Sequence, residues 1–156
     1  MRTKLKWAAI LGALVFTGLQ FTSPSHTNPA HDETQTLEAT TAVPPEVSAL
    51  FARSCNDCHS NKTNWRWYTW VAPVSWLTVG HVNDARSELN FSEWGSYPTR
   101  KKETRLNAIC DECQHGAMPL ASYALVHREV KLSPMDVQRI CEWSAEERRR
   151  IEGEKR

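Results

Sequence analysis

Five residues in the middle of the chain have the types and spacing needed to hold a haem covalently. The segment from Cys55 to His59 reads Cys-Asn-Asp-Cys-His, which is the C-x-x-C-H pattern of c-type haem attachment. On a helical turn, two thiols three positions apart point the same way, so both can add to the vinyl groups of one porphyrin. The histidine after the second cysteine then reaches the iron as its proximal ligand. We therefore predict one covalent haem c held by Cys55, Cys58 and His59.

The alternative chemistry for these cysteines is a zinc site, because Cys110 and Cys113 form a second C-x-x-C pair. Two such pairs indicate zinc when about 15–20 residues separate them. Here 51 residues lie between Cys58 and Cys110, and both pairs are predicted to be helical. Haem is therefore favoured, and a zinc-stabilised interaction module is the less favoured alternative.

A second, distal iron ligand has to come from elsewhere in the chain. Met118 lies in a predicted loop and is followed by Pro119, which stiffens the backbone. A methionine opposite histidine raises the reduction potential of haem iron, which suits an electron carrier. We predict Met118 as the distal ligand, although a methionine more often fills core space. His81 and His127 are the competing candidates.

Three cysteines remain after haem attachment, and an odd number cannot all pair. A Cys110–Cys141 bridge would join two predicted helices and would contribute a few kcal/mol to stability. A Cys110–Cys113 bridge is also open, since the two residues are neighbours on one helix, but it would constrain little. We favour Cys110–Cys141, which leaves Cys113 as an inert buried thiol.

The pattern of apolar residues and caps predicts only helices, so the expected fold is a small all-α, cytochrome c-like domain around one haem. A first helix begins at Pro45 and carries both Cys55 and Cys58. A second runs from Pro73 to about Leu89, with Val74, Leu77, His81 and Ala85 along one face. Further helices are predicted near Asn90, over Thr99–Gln114 up to Gly116, and after Ser133-Pro134.

Aromatic residues are unusually frequent in the central part of the chain. We predict that they form the wall of the haem pocket and the core, where they would keep the iron dry. This set comprises Trp65, Trp67, Tyr68, Trp70, Trp76, Trp94, Tyr97 and Trp143.

The N-terminus has the composition of an export leader. Residues 1–6 carry three positive charges, and Trp7–Phe21 is mostly apolar, as in a signal sequence. This run of 15 residues is shorter than the roughly 20 of a full membrane span. No small-x-small cleavage site follows, so a cleaved signal and an uncleaved anchor both remain open. Either places the remaining chain in the periplasm or on the outer face of the cytoplasmic membrane, where disulfides and haem c form.

The chain divides by composition into four segments. Residues 1–22 are the leader, 23–43 a flexible linker, 44–146 the haem-binding domain and 147–156 a charged, solvated tail. The net charge is +1, and without the leader's three cations 16 basic residues face 18 acidic ones. This balance excludes a strongly basic nucleic-acid-binding surface.

Several ordered motifs resemble the bacterial exported haem-binding domain family, which is related in motif to c-type cytochromes. The resemblance covers about 100 residues, from Pro44 to Trp143. Its motifs are Cys55–Asn61, Thr63, Trp67-Tyr68, Ala72–Trp76, His81-Val82, Asn90–Trp94, Met118–Leu120, Tyr123, His127, Leu132-Ser133 and Trp143.

This resemblance implies one covalent haem with His59 as the proximal and Met118 as the distal ligand. It also implies a cysteine pair at the positions of Cys110 and Cys141, whereas Cys113 has no counterpart. The leader, followed by Thr27-Asn28-Pro29, is similar to members held at the membrane by an uncleaved segment.

These observations together predict a non-enzymatic electron carrier that serves redox partner proteins. The alternative is a haem-based sensor or a peroxidase-like protein, which would need an open or easily displaced sixth position at the iron.

Overall fold

The computed structural model describes residues 1–153, and every regular element in that range is helical. The predicted all-α class is therefore confirmed. The α-helices are α1 (Arg2–Leu19), α2 (Leu37–Thr40), α3 (Pro45–Ser54), α4 (Asn56–His59), α5 (Val74–Glu88), α6 (Thr99–Gln114), α7 (Ala121–Val126) and α8 (Pro134–Gly153). Short 3₁₀ turns cover Gln20–Thr22, Glu33–Gln35, Trp67–Trp70, Phe91–Ser96 and Arg128–Val130.

Helix boundaries follow from local chemistry. Pro45 occupies the first position of α3, where its missing N–H costs nothing. Helix α6 ends at Gln114, two residues before Gly116, whose φ of 67° is accessible to glycine without strain. Helix α8 begins with a capping box: the Asp136 carboxylate accepts from the Ser133 backbone N–H at 2.9 Å, and the Ser133 hydroxyl accepts from the Asp136 N–H at 3.2 Å.

The core lies where α3, α6 and α8 meet. A disulfide joins Cys110 of α6 to Cys141 of α8, and an Arg148–Asn107 hydrogen bond joins the same two helices further along. Since the higher number on α8 pairs with the lower number on α6, the two helices are antiparallel. The buried cluster consists of Leu37, Val47, Leu50, Phe51, Leu89, Phe91, Trp94, Tyr97, Leu106, Ile109, Cys113, Ile140, Trp143 and Ile151.

The segment 23–43, predicted as a flexible linker, is instead packed against the domain. Leu37 is 1% exposed within the core cluster. The indole N–H groups of Trp94 and Trp143 donate to Thr41 Oγ1 and to the Ala42 carbonyl at 3.1 and 3.2 Å. The segment is poor in large apolar residues, and its composition therefore suggested a spacer. Leu37 is nevertheless buried, Val43 packs against the core, and the two tryptophans donate one hydrogen bond to a side chain and one to the backbone of the segment.

The C-terminal tail also differs from the prediction. Helix α8 continues to Gly153 and buries Glu147 and Ile151. Glu147 accepts from two nitrogens of Arg150 at 2.6 and 2.8 Å, so the carboxylate is buried with a charged partner. Residues 154–156 of the expected tail lie outside the described residues.

Two further details of the helices were predicted incorrectly. The first helix stops at Ser54, because Cys55 (φ −125°, ψ −40°) departs from helical geometry, and α4 then forms a separate turn. On α5, the buried residues are Ser75, Val79 and Val82, whereas Val74 and Leu77 are exposed. The apolar residues of α5 lie on two overlapping faces of the helix. The domain buries the face with Val79 and Val82, not the predicted face with Val74 and Leu77.

Candidate functional site

Both motif cysteines and the motif histidine line one cavity of about 430 Å³, which lies within the size range of cofactor sites. Cys55 stands at the break between α3 and α4. Its carbonyl accepts from the backbone N–H groups of Cys58 and His59 at 3.1 and 2.9 Å. This tight turn brings Cys55, Cys58 and His59 to the cavity wall with the two thiols half-buried and free.

His59 is oriented by a backbone carbonyl. Its Nδ1 lies 3.0 Å from the carbonyl oxygen of Leu89, and since a carbonyl can only accept, Nδ1 carries the proton. The Nε2 lone pair is then available to a metal, the arrangement found for metal-binding histidines in general. Burial lowers the pKa of His59, which favours the neutral ring that metal coordination requires.

Asp57, between the two cysteines, connects the motif to the rest of the domain by hydrogen bonds. One carboxylate oxygen accepts from the Asn64 backbone N–H at 3.0 Å, and the other accepts from the Tyr123 hydroxyl at 2.7 Å. The Thr63 hydroxyl donates to the Asp57 carbonyl at 2.7 Å. Burial, and then the hydrogen bond to Asp57, raise the pKa of Tyr123, so its hydroxyl stays a donor. The motif spacing alone did not identify this role of Asp57.

Among the predicted distal ligands, Met118 and His81 line the cavity and His127 does not. Met118 is half-buried in the loop after α6, and His81 is half-buried on α5. His127 has both ring nitrogens engaged, one with the Tyr68 hydroxyl at 2.6 Å and the other with Glu129 at 3.1 Å. The structure thus brings two of the three candidates to the site.

The aromatic set was predicted to form the pocket wall and the core, and the first half of this prediction is wrong, because no tryptophan lines the cavity. Its aromatic wall is made by Phe51, Phe91 and Tyr123. Trp94, Tyr97 and Trp143 belong to the core, as the second half of the prediction states. Of the remainder, Trp67, Trp70 and Trp76 are exposed. Composition counts aromatic residues but does not show which face of an element is buried.

Arg105 on α6 also lines the cavity and was not predicted from the sequence. Its Nη2 donates to Glu88 Oε2 at 2.7 Å, while its Nε is buried with no hydrogen-bond acceptor among the described residues. A buried, unpartnered guanidinium N–H is costly unless a ligand provides an acceptor. A haem propionate is a carboxylate of the kind that arginine binds well, so the donor set and the apolar walls of this cavity fit a haem.

The second cysteine pair does not form a metal site. Cys110 is bonded to Cys141, and within residues 1–153 no group of three or more His, Cys, Asp or Glu side chains is placed to hold a metal ion. Cys113 is buried in the cavity wall, and burial raises its pKa to about 11, so the thiol is protonated at neutral pH. These findings remove the support for a structural zinc.

Comparison with known proteins gives one result. A family model described as a haem-binding domain matches residues 14–146. The chain has no significant match among curated proteins or solved structures.

Proposed function

Because the chain belongs to the haem-binding domain family, we propose that it is a monohaem c-type cytochrome that carries single electrons outside the cytoplasmic membrane. The observation that carries this proposal is the common cavity wall of Cys55, Cys58 and His59, with the His59 ring held by the Leu89 carbonyl. A haem that is bound without thioethers would need only the histidine. The two free thiols beside it favour covalent attachment.

The chain's own residues have distinct tasks in this proposal. Cys55 and Cys58 would each hold the haem through a thioether to one vinyl group, the sulfur bonding to one vinyl carbon and the thiol hydrogen passing to the neighbouring carbon. His59 would provide Nε2 to the iron, and Met118 would provide a thioether. Arg105 would bind a propionate through its buried Nε. When bound, haem supplies an iron that changes between the ferrous and ferric states by one electron.

Protonation of the thiols bears on how attachment occurs. Burial is the main reason that the pKa of Cys58 is raised to about 11. Burial also raises the pKa of Cys55. Thiols with such pKa values are mostly unreactive at neutral pH. We therefore expect attachment to depend on a host with haem c maturation machinery.

The environment of the cavity has two opposing effects on the reduction potential. The apolar walls of Phe51, Leu89 and Ile109 disfavour the more positive ferric state and raise the potential. The carboxylates of Asp84 and Glu112 also line the cavity and favour the ferric state. The balance between the apolar walls and the carboxylates would therefore determine the reduction potential of the iron, which is the property that matters for an electron carrier.

The location outside the membrane is supported by the N-terminal helix. Residues Arg2–Thr22 form an apolar helix long enough to cross a membrane, a property shared by signal sequences and anchors. The Cys110–Cys141 disulfide is of the kind that persists in oxidising compartments.

The first test is the absorption spectrum of protein exported from such a host, oxidised and then reduced with dithionite. A denaturing gel stained for haem, with Cys58→Ala as the control, tests covalent attachment. Gel-stable haem and a methionine-to-iron charge-transfer band that is lost in Met118→Ala but kept in His81→Ala would support the proposal. High-spin features with gel-stable haem would instead indicate the sensor or peroxidase-like alternative, and absence of covalent haem would refute a c-type cytochrome.

A further inference from the structure

Five apolar side chains that the domain does not bury lie together at one end of α5. Trp67 and Trp70 belong to the 3₁₀ turn Trp67–Trp70, and Val74, Trp76 and Leu77 belong to the first turn of α5, which packs against it. Trp67 is 79% exposed, and Trp70 and Leu77 are each 55% exposed. We call these five residues the tryptophan patch. Contiguous exposed apolar surface of this kind marks an interaction site.

The charge around the tryptophan patch is unusual for this chain. No aspartate or glutamate occurs between Asp57 and Asp84, and from Asn64 to Asn83 the only arginine or lysine is Arg66. Tryptophan has an apolar ring system with one polar N–H, and it concentrates where a membrane meets water. The carboxylate of Glu129, from another part of the chain, lies close to Arg66 and Tyr68. A tryptophan-rich stretch that itself contains no acidic residue suits the headgroup region of a phospholipid bilayer.

The tryptophan patch is tied to the end of α1 by several hydrogen bonds. The Gln20 side chain binds the backbone of Ala72 in both directions: Gln20 Oε1 accepts from the Ala72 N–H at 3.0 Å, and Gln20 Nε2 donates to its carbonyl at 3.4 Å. The Trp76 indole N–H donates to the Thr22 carbonyl at 3.0 Å. His26 stacks on Trp70 with 3.9 Å between ring centroids. The direction in which α1 leaves the domain is thereby fixed beside the patch.

Helix α1 with its terminal turn has the dimensions of a membrane span. Residues Arg2–Thr22 comprise 21 residues, the most apolar 18 of which have a mean hydropathy of 1.4 and are not buried in the protein. At 1.5 Å per residue the whole stretch is about 31 Å long, close to the thickness of the hydrocarbon core. Its apolar part, Trp7–Phe21, is only about 22 Å long, so a full span requires the long side chains of Lys4 and Lys6 to extend toward the headgroups. Its cations Arg2, Lys4 and Lys6 are all at the end remote from the patch, as expected when the N-terminus stays in the cytoplasm.

We propose that the tryptophan patch docks on the outer leaflet of the membrane that α1 spans, so that α1 and the patch form one lipid-facing surface. This inference rests on the part of the proposed function that keeps α1 as an uncleaved anchor. Phe21 is 87% exposed in the turn Gln20–Thr22, next to the Thr22 carbonyl that accepts from Trp76. The haem cavity uses His81, Asp84, Ala85 and Glu88 from the other half of α5, so docking holds the cavity in a fixed orientation, away from the lipid contact.

Photolabelling from the bilayer tests this arrangement directly. The full chain is reconstituted in phosphatidylglycerol/phosphatidylethanolamine nanodiscs that contain a phospholipid with a diazirine near its headgroup. After irradiation, tryptic peptides are analysed by mass spectrometry. All five patch residues fall in the single peptide Trp67–Arg86, and the control peptide Leu132–Arg139 contains Met135, which is 58% exposed on α8.

We expect lipid adducts on residues 1–22 and on peptide Trp67–Arg86, several-fold above the level on peptide Leu132–Arg139. Replacing Trp67 and Trp70 together by serine should reduce labelling of the rest of that peptide several-fold, whereas Met135→Ser should not change it. Labelling of residues 1–22 alone would overturn docking while leaving the anchor intact. Absence of labelling at residues 1–22 would overturn both, and a haem spectrum of the same sample reports separately on the cofactor.

A protein partner is the competing occupant of the patch, and the same variant addresses it. In this case, lipid labelling of peptide Trp67–Arg86 in the wild type is no higher than that of peptide Leu132–Arg139, and Trp67→Ser/Trp70→Ser slows electron exchange with a membrane redox partner. The patch then binds protein. That outcome would refute the lipid assignment.

Discussion

The contribution of the Cys110–Cys141 disulfide to the free energy of unfolding can be calculated from the loop that it closes. The disulfide joins α6 to α8 across a sequence separation of 31 residues. In the chain-entropy treatment, closing a loop of this size removes about 12 cal/mol/K from the unfolded chain, or about 3.7 kcal/mol at 25 °C. Both cysteines are only half-buried, so a change to alanine leaves little cavity, and the entropy is the main loss.

We therefore expect Cys110→Ala/Cys141→Ala to lower the free energy of unfolding by about 3 to 4 kcal/mol. The folded structure should change little, because Leu106 and Ile140 still pack between the same two helices. The haem spectrum of the native variant is accordingly expected to match that of the wild type.

A urea titration of the haem-loaded full chain in detergent, followed by circular dichroism, measures this difference. Both proteins are kept ferrous, so that added dithiothreitol changes only the disulfide. Dithiothreitol should lower the stability of the wild type to that of the variant and should not affect the variant. A difference below about 1 kcal/mol, or a shifted haem spectrum in the native variant, would refute the reasoning from unfolded-chain entropy.

Three further predictions concern the packed segment, the start of α8 and the cavity. Leu37→Ala should cost about 2–5 kcal/mol in a denaturant titration and should expose segment 23–43 to protease; unchanged stability would mean that the segment is not packed. Asp136→Ala should cost about 1 kcal/mol at pH 7. Hydrogen bonds led by the Ser133 N–H hold the pKa of Asp136 below its ordinary 3.8. Its contribution is therefore present above about pH 3.8 and lost as pH falls through the lowered folded value, so the wild-type and variant stabilities should converge in acid. Arg105→Gln should lower the haem reduction potential in spectroelectrochemistry, because removing a nearby positive charge favours the ferric state; Arg100→Gln, on the exposed part of the same helix, is the control, and equal shifts would exclude a direct contact.

The tertiary structure decided which of two overlapping faces a helix buries. On α5 the sequence offers apolar residues at Val74 and Leu77 and also at Val79 and Val82, and periodicity cannot rank them. The 3₁₀ turn Trp67–Trp70 packs against α5 and leaves Val74 and Leu77 outside. For the same reason Trp67, Trp70 and Trp76 were predicted in the pocket wall or the core and are found on the surface.

Segment 23–43 shows a different limit of sequence analysis. Two of the hydrogen bonds that hold it come from Trp94 and Trp143, which lie 53 and 101 residues away from their acceptors. No local pattern contains partners at such separations. Arg105 was missed for a similar reason, since an arginine on an amphipathic helix has no local sign that its Nε is buried.

By itself, the sequence determined the properties that depend on neighbouring residues. These are the helical class, the boundaries of α6 at Thr99–Gln114, the proline start of α3 and the C-x-x-C-H motif at Cys55–His59. Each rests on caps, breakers or a short spacing, which act within a few residues. Only the tertiary structure decided which side chains meet: His59 with the Leu89 carbonyl, Asp57 with Tyr123, and α1 with the tryptophan patch. Such contacts depend on how the helices pack in space, because burial and hydrogen bonding there are set by residues far apart in the chain.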